Sequence, residues 1–268
     1  MEPVVAGPVR GAGAPRASRV QSVDRAMRLL RAVADATTVD STAALLAGTC
    51  GLNRATAWRI LSTLETHGMV SCDRATGRWS LGPGLLDLAR VAELAAVVQG
   101  AHPVLEQLSR ETGETAALAV VTGAGLTYVD EVASHSVVAV TWRGRTVPLH
   151  ATSTGKALLS VTDPDEVALM LGDTLQRYTP TTVTDLPTLL EEIELTRLRG
   201  WGACRGEYDV SAHGVSAPVL DGSGHLRAVL SIWGPGDRVT ESRLEELGTL
   251  VRDATALLGR HWAEHSTA

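Results

Sequence analysis

Residues 50–89 read CGLNRATAWRILSTLETHGMVSCDRATGRWSLGPGLLDLA, and this stretch decides the fold. Asn53 is a good helix cap, because its side-chain oxygen can accept an N–H of the first turn. Ala57, Ile60, Leu61 and Leu64 then recur at helical spacing, which leaves Arg54, Thr56, Trp58, Arg59 and Thr63 on other faces. The helix is expected to run to about His67 and stop at Gly68. Two β-type runs follow, Val70–Asp73 and Arg78–Leu81, joined by Arg74-Ala75-Thr76-Gly77. A helix with exposed arginines followed at once by a hairpin is the order of a winged helix-turn-helix. That arrangement lays one helix in a major groove and the wing on the flanking backbone.

Upstream, Ser22 stands at an expected N-cap, with Val23, Ala26, Met27, Leu30 and Val33 at helical spacing behind it. Ser41 is the expected cap of a short second helix whose buried face is Ala44, Leu45 and Ala47. Gly51 supplies a turn conformation that other residues resist. Residues 1–18, rich in Gly, Pro and Ala, read as a disordered tail and lack the apolar segment of a signal peptide. The winged domain is expected over 19–82. Leu85 to about Val98 is apolar nearly all round, so 83–100 reads as a linker helix that is buried or covered by another chain.

From 101 to 265 the texture is α+β. Helices are expected near 104–111, 155–160, 164–171, 186–199 and 241–261. Strands are expected near 115–121, 126–132, Val137–Trp142, 202–207, 216–220 and 226–233, an antiparallel sheet with helices around it.

Charge divides the chain. The total is −6, yet residues 19–90 carry nine arginines against six acids, whereas residues 91–268 carry thirteen basic against twenty-three acidic residues. Only the front end is cationic enough to meet phosphate. Lys occurs once, at Lys156, and Arg carries the rest, the bias of a GC-rich genome. A hydrophobic content of 44% excludes a disordered chain. Cys50, Cys72 and Cys204, an odd number without CxxC spacing, disfavour disulfides and structural zinc and fit a reducing cytoplasm. No apolar run is long enough to span a membrane.

The expected DNA contacts are Asn53, Arg54, Thr56, Trp58, Arg59 and Thr63 on the third helix, with Arg74 and Arg78 on the wing. Arginine can fork onto guanine or grip phosphate, and threonine can touch a thymine methyl. Each arginine alone also suits a solvated face. Trp58 suits the helix–wing junction as well as a base edge.

Two runs carry a resemblance: Gly51-Leu52-Asn53-Arg54-Ala55-Thr56-Ala57-Trp58-Arg59-Ile60-Leu61 and Asp73-Arg74-Ala75-Thr76-Gly77-Arg78-Trp79-Ser80-Leu81-Gly82. So do Pro148 to Leu159, Arg205-Gly206-Glu207 and Ala217-Pro218-Val219. In these motifs, spread over residues 22–260, the chain resembles the IclR-type transcriptional regulators of bacteria. The resemblance implies a GAF-like effector domain binding a small organic molecule, a carboxylate or aromatic, with dimers paired into tetramers on a pseudo-palindromic double-stranded operator. It places effector contacts at Ser153, Thr154 and Gly155, at Cys204, Ala212 and Gly214, and at Ser231 with Trp233. Ser153 also suits capping the helix near Gly155, and hydroxyls at a helix start suit a carboxylate. Two departures stand out: Trp233 replaces a small polar residue, and Val210-Ser211 replaces Pro-Gly.

Other readings were weighed. Cys204, His213 and Glu207 are residue types of a thiol nucleophile with its base, but no nucleophile elbow, P-loop or dinucleotide fingerprint accompanies them. Cys204 also reads as a small buried hydrophobe, Lys156 as the partner of a neighbouring acid, and His150 and His213 as structural. No catalytic residue, metal or cofactor is expected. A winged DNA-binding protein whose sensor ignores metabolites is the remaining alternative to a ligand-responsive repressor.

Overall fold

A computed structural model describes residues 20–37, 40–133, 141–172 and 174–265. The expected tail at 1–18 and most of the strand expected at Val137–Trp142 lie outside the described residues. The chain divides into two units, Met1–Ala92 and Glu93–Ala268.

In the first unit α1 (Gln21–Asp35), α2 (Ala43–Thr49) and α3 (Arg54–Thr66) precede a hairpin of β1 (Val70–Asp73) and β2 (Arg78–Leu81). Asn53 caps α3 by accepting the Thr56 N–H at 2.8 Å. Gly51 turns the chain between α2 and α3 at φ +63°, a backbone angle L side chains rarely adopt. The hairpin is antiparallel with Val70 opposite Leu81 and Asp73 opposite Arg78. Leu29, Leu46, Ala57, Leu61, Val70 and Trp79 form the core of this unit.

Three local expectations are corrected. The first helix starts after Val20 without a side-chain cap, so Ser22 lies inside its first turn. Its core contacts are Leu29 and Val33, whereas Val23 and Met27 are exposed. The helix carries two apolar stripes, and the contact with α2 and α3 chooses between them. In α2 the N-cap is Thr42, and Ala43, Leu46 and Ala47 are buried while Ala44 and Leu45 are exposed. The physical reason lies in the hairpin. Ser41 gives its carbonyl to the Trp79 N–H at 2.9 Å and Thr42 bridges Arg78, so this segment is held extended as a third edge of the hairpin.

The linker is longer than expected. One helix, α4 (Gly84–Thr112, 29 residues), joins the expected linker helix to the one expected near 104–111. Pro103 lies within it and cannot donate to the ladder. Continuity is kept by the buried stripe of Val97, Ala101, Leu105 and Leu108 on either side of it.

The second unit holds a five-stranded antiparallel sheet in the order β4-β3-β7-β6-β5. The strands are β3 (Thr115–Thr122), β4 (Gly125–Val132), β5 (Gly202–Arg205), β6 (Ala212–Leu220) and β7 (Leu226–Pro235). Between β4 and β5 lie α5 (Ser153–Leu159), α6 (Pro164–Leu171) and α7 (Leu186–Arg199), and α8 (Glu241–His265) follows β7. Strand alternation feeds two cores. Leu118, Leu230 and Ile232 meet Leu105 of α4 and Leu247 and Val251 of α8. Ala117, Ala119 and Val229 meet Leu158 of α5, Val167 of α6 and Ile193 of α7 on the opposite face.

Candidate functional site

On α3, Arg54, Arg59 and Thr63 are exposed and Thr56 is half-buried. Thr63 donates its hydroxyl back to the Arg59 carbonyl at 2.9 Å, leaving its oxygen and methyl outward. Trp58 is 43% exposed and meets Trp79 of the hairpin edge-on, with centroids 5.5 Å apart at 79°. It therefore covers the helix–hairpin junction while keeping an outer edge in solvent. The two hairpin arginines differ. Arg78 is exposed, whereas Arg74 pairs with Glu65 at 2.7 Å, and Glu65 also accepts the Cys72 N–H at 3.1 Å. The turn is organised by Asp73, which accepts from the Thr76 hydroxyl at 2.6 Å and the Ala75 N–H at 2.9 Å. Those bonds hold its carboxyl below the usual aspartate range.

In the second unit a cleft with about 410 Å³ of empty space, part of it open to solvent, lies on the α5 side of the sheet. Five expected effector residues line it: Ser153, Cys204, Ala212, Gly214 and Trp233. Three do not. Thr154 and Ser231 sit behind the wall in a buried hydroxyl network, and Gly155 serves packing, since a Cβ there would come within 2.1 Å of the Leu149 carbonyl. In that network Tyr128 meets Thr154 at 2.6 Å, Thr154 meets Ser231 at 2.9 Å, and Ser216 bridges Ser231 and Ser153 at 2.8 Å each. Burial pushes the Tyr128 hydroxyl up, against the opposing pull of its bond to Thr154. The cap of α5 is also corrected: Thr152, not Ser153, accepts the Gly155 N–H at 3.0 Å.

Residues the sequence did not single out complete the wall: Tyr128, Trp142, Val147, Thr152, Tyr208 and Asp209. His213, weighed above as structural or as a base, also faces the cleft. Tyr208 and Asp209 adjoin the Arg205-Gly206-Glu207 motif and were within reach of a motif reading. Trp142 was not, because it arrives through pairing of residues 142–147 with the β4 edge, where Gly144 donates to the Tyr128 carbonyl at 2.8 Å. Cys204 donates to the Ala151 carbonyl at 3.4 Å, and burial pushes its thiol up, so it is a neutral wall group.

Beneath the cleft Lys156 is 1% exposed and meets Glu207 at 2.6 Å and the Ala203 carbonyl at 3.3 Å. Glu192 adds a second carboxylate at 2.5 Å, as an ion pair without aligned hydrogen-bond geometry. Burial disfavours the charged amine, but the two carboxylates prevail and hold its pKa above the ordinary lysine value. Glu207 is thus bound in a structural pair. Among the described residues no group of three or more His, Cys, Asp or Glu is placed to hold a metal.

The helix-turn-helix model of the IclR regulators matches residues 22–74, and the model for the C-terminal part of these bacterial transcriptional regulators matches residues 89–259. The chain belongs to the IclR family. Members are DNA-binding transcriptional regulators rather than enzymes, and this chain is one of them. It is 32% identical over 201 residues to the HTH-type transcriptional repressor AllR of Escherichia coli K12, covering 74% of each chain. The AllR of Salmonella typhimurium is 32% identical over 211 residues, 78% of each. Among solved structures, an IclR regulator of Alicyclobacillus acidocaldarius superposes with TM-score 0.59 at 27% identity, over 92% of this chain and all of the other. An IclR homologue of Microbacterium hydrocarbonoxydans, complexed with 4-hydroxybenzoate, has TM-score 0.58 at 25% identity over 90% of this chain and 98% of that one. No described helix is long and apolar enough to cross a membrane.

Proposed function

We propose that this regulator is a repressor that reads a pseudo-palindromic operator through α3 and releases or changes its grip when the cleft of the second unit takes up a small metabolite. The observation that carries the reading is the exposed pair Arg54 and Arg59 on the first turns of a capped helix, backed by a hairpin that carries Arg78. Side chains at the start of such a helix reach base edges, and the hairpin arginines reach phosphate. Asn53 keeps its amide N–H groups for a phosphate after its oxygen has been used as the cap. Trp58 and Thr63 add apolar contact beside them, Thr56 contacts the groove wall, and Arg74 reaches phosphate when its pair with Glu65 opens. The AllR relatives are repressors, which supports repression here.

The effector is of the carboxylate or aromatic type. Ser153 offers a hydroxyl to an oxygen, and the aromatic walls take an apolar body. A structural neighbour is complexed with 4-hydroxybenzoate, which supports a small organic guest here. Thr154, Gly155 and Ser231 act by holding the wall. Val20 at the start of α1, Val23 and Met27 on α1, and Leu86, Leu88 and Val91 on α4 are exposed apolar side chains of the first unit, which suits a dimer that presents two α3 helices. Leu169 on α6 and Leu195 and Leu198 on α7 are equally exposed and suit pairing of dimers into tetramers. The site of action is the cytoplasm.

The test is binding of the purified chain to DNA upstream of its own gene against scrambled competitor at moderate salt. Arg59→Ala is expected to weaken specific binding by about 1–3 kcal/mol while non-specific binding changes little. No preference for any neighbouring promoter would end the operator reading.

A further inference from the structure

Aromatic residues are scarce in this chain, with six Trp, three Tyr and no Phe, yet Tyr128, Trp142, Tyr208 and Trp233 all line one cleft. Their rings are not arranged as a slot. Trp142 and Trp233 meet at 88° with centroids 6.4 Å apart, and Tyr208 leans on Trp142 at 51° and 5.3 Å. Walls that meet at a right angle form a corner, which suits a rounded guest better than a flat one.

Charge points the same way. Among the described residues no Lys or Arg lines the cleft, and its carboxylate is Asp209. Arg145 sits over the Trp142 ring at 5.6 Å but is exposed and outside the lining. Asp209 accepts the Ser211 N–H at 2.9 Å and the Ser211 hydroxyl at 2.7 Å, both at Oδ1, which leaves Oδ2 for a guest. A purely anionic guest would lie beside this carboxylate with no Lys or Arg, and only the imidazole of His213, to offset it. A methylated ammonium would instead meet the negative faces of the rings. Ser153, on the cleft wall and 2.8 Å from Ser216, has a hydroxyl for an oxygen of the guest.

We propose that the cleft binds a trimethylammonium compound that also carries a carboxylate or carbonyl oxygen. The aromatic corner and Asp209 hold the methylated nitrogen, and the Ser153 hydroxyl donates to the oxygen. This deepens the ligand-sensing reading above and depends on it.

The experiment uses the full chain and measures thermal stabilisation and calorimetric binding with four probes. These are trimethylglycine, tetramethylammonium, benzoate and 3,3-dimethylbutyrate, in which carbon replaces the charged nitrogen of trimethylglycine. Trimethylglycine is expected to raise Tm and to bind about tenfold or more tighter than its carbon isostere, the difference expected of a desolvated cation–π site. Asp209→Asn keeps the Oδ1 acceptor of the turn and is expected to retain the ligand-free Tm while losing that preference. Trp142→Leu is expected to lose it too; should that variant misfold, Asp209→Asn decides. Equal binding of the isostere overturns the proposal. So does binding of benzoate with no response to either ammonium probe, which leaves the sensor reading intact. Silence from all four probes overturns the proposal and leaves the sensor reading to a wider ligand screen, while promoter binding, measured separately, keeps the DNA reading independent.

Discussion

Lys156 is the most heavily invested single residue of the second unit. Its ammonium is buried between Glu207 and Glu192, so removing it leaves a buried carboxylate uncompensated. Lys156→Ala is expected to cost about 3–5 kcal/mol of stability in denaturant titrations. The linkage sign follows from the raised folded pKa. The stabilisation is complete below the ordinary value of 10.5 and is lost only as pH rises through the higher folded value. The wild-type advantage over the variant should therefore stay level across neutral pH and shrink in alkali; a gap that already closes near pH 8 would contradict the pair. In the first unit, Asn53→Ala removes the one side-chain cap of α3 and is expected to cost about 0.5–2 kcal/mol, read by urea unfolding. Asn53→Ser should recover most of it.

Among the elements, α4 carries a built-in weakness. Pro103 interrupts a 29-residue helix at an exposed position, where a missing hydrogen bond is not offset by any packing of the ring. Pro103→Ala is expected to raise stability by about 1–3 kcal/mol, measured as a higher Tm of the full chain. A fall in Tm would mean that the proline is needed for the packing of this helix. The hairpin is the other informative element. Its two strands were readable from Val70 to Leu81 because short β-type runs flank a Thr-Gly turn. That Ser41 and Thr42 join it as a third edge was not readable, since one isolated bridge leaves no periodicity in a sequence.

Across the whole molecule, apolar side chains left in solvent are the largest unexplained cost. Val23 and Met27 on α1 are 59% and 47% exposed. If α1 forms the proposed dimer contact, Val23→Glu combined with Met27→Glu is expected to lower the size of the assembly in analytical ultracentrifugation and to weaken operator binding well beyond the loss at one half-site, while the unit stays folded. An unchanged sedimentation coefficient would remove α1 from the contact.

The sequence by itself determined the local elements and their order. Caps, turn glycines and apolar periods act over a few residues, so Asn53, Gly51, the strands at 70–81 and helices α6 and α7 could be placed from spacing alone. The placing of Ser153, Cys204, Ala212, Gly214 and Trp233 around one cleft came from the family resemblance, not from spacing. Only the tertiary structure decided which of two apolar stripes α1 buries, because both satisfy the same period and the neighbouring helices choose. It also decided that Thr154 and Ser231 stand behind the wall and that Tyr128, Trp142, Tyr208 and Asp209 stand on it. Those positions depend on sheet register and on a segment pairing with the β4 edge, contacts between residues tens of positions apart that leave no local trace in the chain.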